Sequence, residues 1–426
     1  MSAITAASAP LVTLNGDQER AYAEIGASII MKRQHLLTGH AGSGKTTLLQ
    51  AVAARHADDD VVLTAPTHKA CEVLSRKLRA AGIETPVQTI HSLLSLRPKS
   101  QGDKQVFVRA KNAKPVFAKI VIVDEASMLD SSMMVHIKRW LDGRAVIFCG
   151  DPAQLPPVGE TASLAFDTMP ASHLHGIVRQ ARGNPIIEAA AVIRASQGTG
   201  AMDWSWTAPV RSGDTGIFSP GAAADAWMKK GFLSAEFARD PDHFRVLTWT
   251  NDRVAMFNTR VRGWFGYDLS VPFVPGERAL IRSPLVVGNE ILIATNEEVT
   301  VLAIEADLFR GVASWAIRVR TGRDVEHDIH TPRDMDGYRI ALARLADDAK
   351  GDGYSWDAYH EFKAAFLQMQ ALYALTTHAA QGSTFKTAFV DMPEMRRWMR
   401  KMPDEGGKGL YVAATRASHS LILVGG

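Results

Sequence analysis

The stretch Gly39-His40-Ala41-Gly42-Ser43-Gly44-Lys45-Thr46 constrains this chain more than any other. It satisfies the pattern G-x-x-x-x-G-K-[ST], follows the short apolar run His35 to Leu37 and precedes a helix-like Thr47 to Arg55. A loop in that setting joins a buried strand to a helix N-terminus. Its glycines let backbone N–H groups converge on phosphate oxygens, where the helix dipole favours negative charge. Gly39, Ala41, Gly42, Ser43, Gly44 and Thr47 are therefore expected to line the cradle, with Lys45 on the β and γ phosphates and Thr46 on Mg²⁺. Such a loop needs a carboxylate at the end of a second strand. Ile120 to Val123 ends at Asp124 and Glu125. Asp124 is placed to hold the Mg²⁺ shell and Glu125 to orient and deprotonate a water, which favours hydrolysis over transfer to a substrate.

Composition bounds what surrounds this loop. The chain has 426 residues, 46% of them apolar and 22% charged, with 48 Lys plus Arg against 45 Asp plus Glu. That is too long for one core and too ordinary for a disordered, collagenous or membrane-embedded chain. No uninterrupted apolar window is long enough to span a bilayer, and Met1 to Leu14 lacks the basic flank and apolar segment of a secretory signal. A soluble, multidomain, cytoplasmic protein is expected. Cys71 and Cys149 are the only cysteines, so neither a disulfide framework nor a thiolate metal cluster is predicted, and both read as small buried residues. A formal charge of +3 leaves any polyanion contact to local clusters.

Short apolar runs recur between helical stretches at Val61 to Thr64, Ile120 to Val123, Ala145 to Cys149, Val246 to Trp249, Ala388 to Val390 and Leu421 to Val424. Runs of this kind suit a parallel sheet buried on both faces. They fall into two groups, the first over about Asn15 to Gln180, the second split between about 185–260 and 370–426. Between the halves of the second group, Val271 to His330 alternates Val, Ile and Thr with polar residues and suggests a small antiparallel barrel or sheet. Another interruption, between His91 and Lys119, fits a hairpin with a basic tip.

Further stretches complete an ordered set: Ala65-Pro66-Thr67-His68-Lys69-Ala70, Thr89-Ile90-His91-Ser92, Asp124-Glu125-Ala126-Ser127, Gly150-Asp151-Pro152-Ala153-Gln154-Leu155-Pro156-Pro157, Thr376 to Thr384 and Tyr411 to Ala417. With the phosphate loop, these resemble the motifs of superfamily 1 helicases, and most closely those of the RecD-like branch and its compact phage Dda helicases. The resemblance implies two RecA-like cores of the P-loop NTPase α/β class. Core 1 covers 1–182 with a pin-like hairpin at about 92–118. Core 2 covers 183–262 and 369–426, interrupted at 263–368 by an SH3-like β-barrel and a helical arm.

Carried over residue by residue, the resemblance places Gln18 on the adenine edge, Gln154 as a γ-phosphate sensor, Gly382 at the nucleotide, and Arg179 and Arg416 as arginine fingers from the far side of the cleft. Pro66, Thr67, His68, His91, Thr377 and His378 look like contacts to single-stranded DNA, made without reading sequence. Trp249 and Phe257 are read as core in preference to base-stacking. The implied activity is ATP- and Mg²⁺-dependent translocation on single-stranded DNA, 5′ to 3′, with unwinding of tailed duplexes in replication, recombination or repair. A single-strand binding protein or replication protein is a conceivable partner, and a monomer is expected. Two alternatives stay open, a translocase that remodels protein–DNA complexes with little unwinding and an ATP-switched nucleic-acid clamp. The hairpin's first strand has no aromatic residue to split a base pair, leaving Phe107 or Leu96 for that role; a small-molecule kinase would leave the second group of motifs without a purpose.

Overall fold

The computed structural model describes residues 13–57, 60–101, 104–167, 169–176, 183–287, 290–350 and 356–425. Each apolar run named above lies in or overlaps a strand. The first sheet has six parallel strands in the order Val87–Thr89, Val61–Ala65, Ile120–Val123, Ala145–Gly150, Gln34–Gly39 and Ala171–Leu174. Its central strands are buried along their whole length, as β-branched and apolar runs covered by helices on both faces must be. Leu37, Leu48, Leu49, Ile122, Ile147 and Cys149 share one core cluster, which fixes the phosphate-loop helix Lys45–Arg55 to the sheet. The strand ends that carry Gly39, Asp124 and Gly150 lie at the same carboxyl edge, where doubly wound sheets bind ligands.

The second sheet also has six strands, ordered Ala374–Thr376, Phe244–Thr248, Phe385–Asp391, Ala417–Val424, Thr215–Phe218 and Val210–Ser212. The four inner strands pair in parallel and Val210–Ser212 closes one edge antiparallel. At their carboxyl ends the buried Asp391 accepts from Thr248 Oγ1 at 2.9 Å and, through both oxygens, from Arg253 at 2.9 and 3.0 Å. Asp391 is the residue through which these two strand ends are tied.

The chain divides into two compact units. One comprises Met1–Leu94, Lys114–Val254 and Leu375–Gly426 and holds both parallel sheets. The other comprises Ser95–Ala113 and Ala255–Ala374. It contains the hairpin Leu96–Gln101 with Lys104–Arg109 and a five-stranded antiparallel sheet, ordered Glu326–Pro332, Val312–Thr321, Glu298–Phe309, Arg278–Ile281 and Met369–Ala371. Two helices, Met335–Lys350 and Asp357–Ala365, follow that sheet's long strands, and their Tyr338 and Phe362 bury against Val312 and Phe366. No helix among the described residues is long and apolar enough to cross a membrane.

Two helices of the second sheet's layer set the position of the functional arm. Met392–Lys401 buries Met392, Met395 and Trp398 at three-residue spacing and turns Arg397, Arg400 and Lys401 outward. Pro403–Thr415, started by a proline at its first position, packs against it and ends with Arg416 as its C-cap. The close crossing is allowed by Gly406 and Gly409: a Cβ on Gly409 would clash with the edge of the six-membered ring of the fully buried Trp398. Gly409→Ala therefore pits about 1 kcal/mol of helix propensity against about 1–3 kcal/mol of overpacking, and the clash should win. The expected result is a lowered thermal midpoint; an unchanged or raised midpoint would show that the crossing does not depend on this glycine.

Candidate active site

Gly44, at φ 84°, turns the chain into the helix Lys45–Arg55, and no side chain caps that helix. Its first-turn N–H groups have no intrahelical acceptor, which is the arrangement an anion completes. Lys45 Nζ donates to the carbonyls of Gly39 at 2.5 Å and His40 at 3.2 Å. Gln18 lies behind the loop: its Nε2 donates to the Gly44 carbonyl at 3.1 Å and its Oε1 accepts from Asn15 N at 2.9 Å. One end of the Gln18 amide thus completes the first helix's own N-terminal cap and the other holds the loop to that helix.

Lys45, Thr46 and Ala41 line a cavity of about 150 Å³ together with Asp124, Glu125, Gly150, Gln154, Gly382 and Arg416. The first sheet supplies the phosphate loop, the carboxylate pair and Gln154. Gly382 and Arg416 come from the second. Gly382 adopts φ +73°, and a Cβ there would lie 2.8 Å from the Ala70 Cβ, so only glycine permits the loop after Thr377 to approach the first sheet this closely. The Arg416 guanidinium donates to the Ser383 carbonyl at 3.0 Å and the Val412 carbonyl at 3.3 Å, which holds it at the cavity wall.

Glu125 occupies a left-handed backbone position, φ 54°, and its N–H donates to Asp124 Oδ1 at 3.0 Å. Burial and then the neighbouring Asp124 carboxylate push the Glu125 carboxyl above its ordinary value, opposed by Arg416, Lys45 and Lys77. A carboxylate made more basic in this way is suited to take a proton from water. Gln154 Oε1 and Ser43 Oγ are buried with no hydrogen-bond partner. Orphaned polar atoms on an uncapped, lysine-bearing cradle fit a nucleotide triphosphate, and Thr46 with Asp124 fits its accompanying Mg²⁺.

Lys77, which lies outside every motif, and Thr384, the last residue of the stretch Thr376 to Thr384, also line the cavity. Lys77 follows Ala70, Val73 and Leu74 along the facing stripe of the helix His68–Ala80, a helical spacing that could have revealed it. Arg179 lies outside the described residues, within the stretch 177–182.

The residues expected along the nucleic-acid path divide by environment. Thr67 caps the helix His68–Ala80, accepting from Ala70 N at 3.2 Å, with Pro66 before it and His68 at its first position. Thr377 is fully buried, and both its N–H and its hydroxyl donate to the Thr248 carbonyl, at 2.9 and 3.2 Å. His378 packs beside Trp398, with Glu405 3.4 Å from its Nε2, and burial lowers its pKa. Phe257 is core, 1% exposed. Trp249 stacks at 5.5 Å on Trp398, with the Lys401 ammonium over its ring.

Two family models match this chain, an AAA domain over residues 13–208 and a UvrD-like helicase C-terminal domain over residues 371–424. The chain is 25% identical to the ATP-dependent DNA helicase dda of Enterobacteria phage T4, over 96% of this chain and 99% of that protein. It is 26% identical to the ATP-dependent RecD2 DNA helicase of Deinococcus radiodurans, over 92% of this chain and 46% of that longer protein. A Pif1 helicase from Bacteroides, solved with ADP-AlF3 and single-stranded DNA, has the same fold at 17% identity, with a TM-score of 0.52 over 96% of this chain and 92% of that one.

His91 gives this region a measurable pH signature. Burial, with smaller contributions from His68 and His136, outweighs Asp130 and lowers its pKa from 6.5 to about 4. The folded state therefore keeps His91 neutral while the unfolded chain protonates, so stability should fall as pH drops from about 6.5 towards 4 and be fully retained above that window. Thermal midpoints measured across the window should show a shallower slope for His91→Gln than for the parent protein; parallel slopes would contradict the assignment.

Proposed function

We propose that this chain, a member of the superfamily 1 helicases of the RecD-like, Dda-type branch, couples ATP hydrolysis in the cavity around Lys45 to 5′-to-3′ movement on single-stranded DNA and unwinds duplexes that carry a tail. The observation that supports this reading is the composition of one cavity: Lys45, Asp124, Glu125 and Gln154 from the first sheet meet Gly382 and Arg416 from the second. A chemistry completed by two sheets runs only when they come together. That dependence is what a motor requires.

In this mechanism the phosphate-loop amides and Lys45 bind the β and γ phosphates, and Gln18 takes the adenine edge. Gln154 senses the γ phosphate, and Glu125 orients the attacking water and removes its proton. Arg416 stabilises the charge that develops on the transferring phosphoryl group. Mg²⁺, held by Thr46 and Asp124, would neutralise phosphate charge when bound. Arg179 is proposed as a second finger. Pro66, Thr67, His68, His91, Thr377 and His378 form the strand path, and closure and reopening of the cleft alternate the grip on DNA.

The proposed domain plan is core 1 at 1–182, core 2 at 183–262 and 369–426, and an SH3-like insertion with its helical arm at 263–368. The hairpin at about 92–118 serves as the separating pin. Of its two aromatics, Phe107 lies on the second strand and is 37% exposed and Phe117 follows that strand at 78%, whereas Leu96 is 1% exposed and unavailable to a base pair. The first strand, Leu96–Gln101, carries no aromatic, which favours, as a second reading, a translocase that displaces proteins from DNA. Action as a cytoplasmic monomer in replication, recombination or repair, with a single-strand binding or replication protein nearby, completes the reading.

Three substitutions test the chemistry. Glu125→Gln should bind ATP with turnover reduced about 100-fold or more. Lys45→Ala should lose hydrolysis through weakened phosphate binding. Arg416→Ala should slow hydrolysis on the order of 1,000-fold while single-stranded DNA affinity measured without ATP stays unchanged. Steady-state ATPase and fluorescence anisotropy check all three. Normal turnover in Glu125→Gln would falsify the catalytic-base assignment, and lost ATP-free DNA affinity in Arg416→Ala would make that arginine a strand or structural residue.

A further inference from the structure

A second arm reaches the phosphate loop from the helix that ends at Arg416. Tyr411, on Pro403–Thr415 and 1% exposed, accepts from the Ala41 N–H at 3.1 Å and donates to Asp151 Oδ2 at 2.6 Å. Asp151 is fully buried, and its other oxygen accepts from Arg194 Nη1 at 2.6 Å and from Ala153 N at 3.1 Å. Ala41 lines the nucleotide cavity, and Ala153 adjoins Gln154, which lines it too. One hydroxyl from the second sheet's layer therefore joins the phosphate loop to the turn that carries the sensor glutamine.

The arrangement is more than a satisfied tyrosine. Both polar partners of the hydroxyl belong to loops of the first sheet, while the ring is fixed in the second sheet's layer. The same turn receives two further bonds from that side, Gln381 Nε2 to the Leu155 carbonyl at 3.1 Å and Gln197 Nε2 to the Ala153 carbonyl at 3.1 Å. A hydrogen bond to a buried carboxylate is short, directional and costly to leave unmade, so it fixes the distance between its partners tightly. Tyr411 and Arg416 ride on one rigid helix and its cap, hence a displacement that withdraws the guanidinium also pulls the hydroxyl off the loop.

We infer that Tyr411 is a positioning residue for hydrolysis, setting the Ala41 edge of the phosphate loop and the Gln154 turn in register only while the second core is seated. This rests on the nucleotide-site reading above. Its effect is on the chemical step and not on nucleotide capture, because capture rests on Lys45 and the helix-terminal amides. The phenyl ring supplies the packing; the hydroxyl supplies the register.

The test is Tyr411→Phe, assayed as ATP hydrolysis at saturating oligo-dT with ATP varied. Expected is a kcat about tenfold lower, from the loss of one charge-assisted hydrogen bond, with KM and ATP-free oligo-dT affinity within about twofold of the parent. Asp151→Asn, which also weakens the Arg194 pair, should lower kcat at least as much, and the double variant should fall little below Asp151→Asn alone, because the Tyr411 bond is already lost there. A parental kcat in Tyr411→Phe overturns the inference, as does an additive double variant. A rise in KM together with a fallen thermal midpoint also overturns it, making the hydroxyl merely structural. Lys45→Ala run alongside separates the two levels: parental hydrolysis in that variant would remove the nucleotide-site reading itself, whereas its loss leaves Tyr411 alone on trial.

Discussion

Adjacent carboxylates, Asp124 and Glu125, share a partly buried site and repel each other, and their compensation comes from opposite directions. Lys45 and Lys77 approach from the first sheet's helices and Arg416 from the second sheet. Two lysines match the pair in formal charge, yet the largest opposing effect on Glu125 comes from Arg416, and a γ phosphate would bring still more negative charge. The electrostatics of the carboxylate pair therefore depend on a group from each sheet. The closed contact at Gly382, the Arg416 arm and the Tyr411–Asp151 link all serve that one requirement.

The supporting shell explains how such compensation stays in register. Arg416 is aimed by carbonyls of Ser383 and Val412, and its helix is held close to its neighbour by the Gly409–Trp398 crossing. Across the cleft, Lys69 Nζ bonds Asp242 at 2.8 Å, and the same carboxylate receives the buried Arg245 at 2.9 Å. Packing and polar links thus operate together: apolar burial sets where each helix lies, and a few directional bonds fix the functional atoms to within hydrogen-bond tolerance.

Much of this was legible in the sequence because the signals were local. Apolar runs bounded by Gly and Asp marked the central strands, and the phosphate loop and Asp124-Glu125 declared their chemistry by their positions at strand ends. The shorter strands Val87–Thr89, Ala171–Leu174 and Thr215–Phe218 lacked that signal, since three or four residues containing Gln, Ser, His or Gly carry no hydrophobic period. The Tyr411–Asp151 link was illegible for another reason: its partners lie 260 positions apart, and nothing in either local pattern marks the pairing. Gln18 has a second task that no local pattern announces, the bond from its Nε2 to the Gly44 carbonyl that ties the loop to the first helix.

In the proposed mechanism, nucleotide-driven closure of the cleft moves DNA in one direction. Its most direct test is strand separation on two otherwise identical partial duplexes, one with a 5′ single-stranded tail and one with a 3′ tail, with ATPase followed with and without single-stranded DNA. Unwinding from the 5′ tail alone, with hydrolysis stimulated by single-stranded DNA, is the expected result. Hydrolysis indifferent to DNA, or unwinding from the 3′ tail alone, would contradict it.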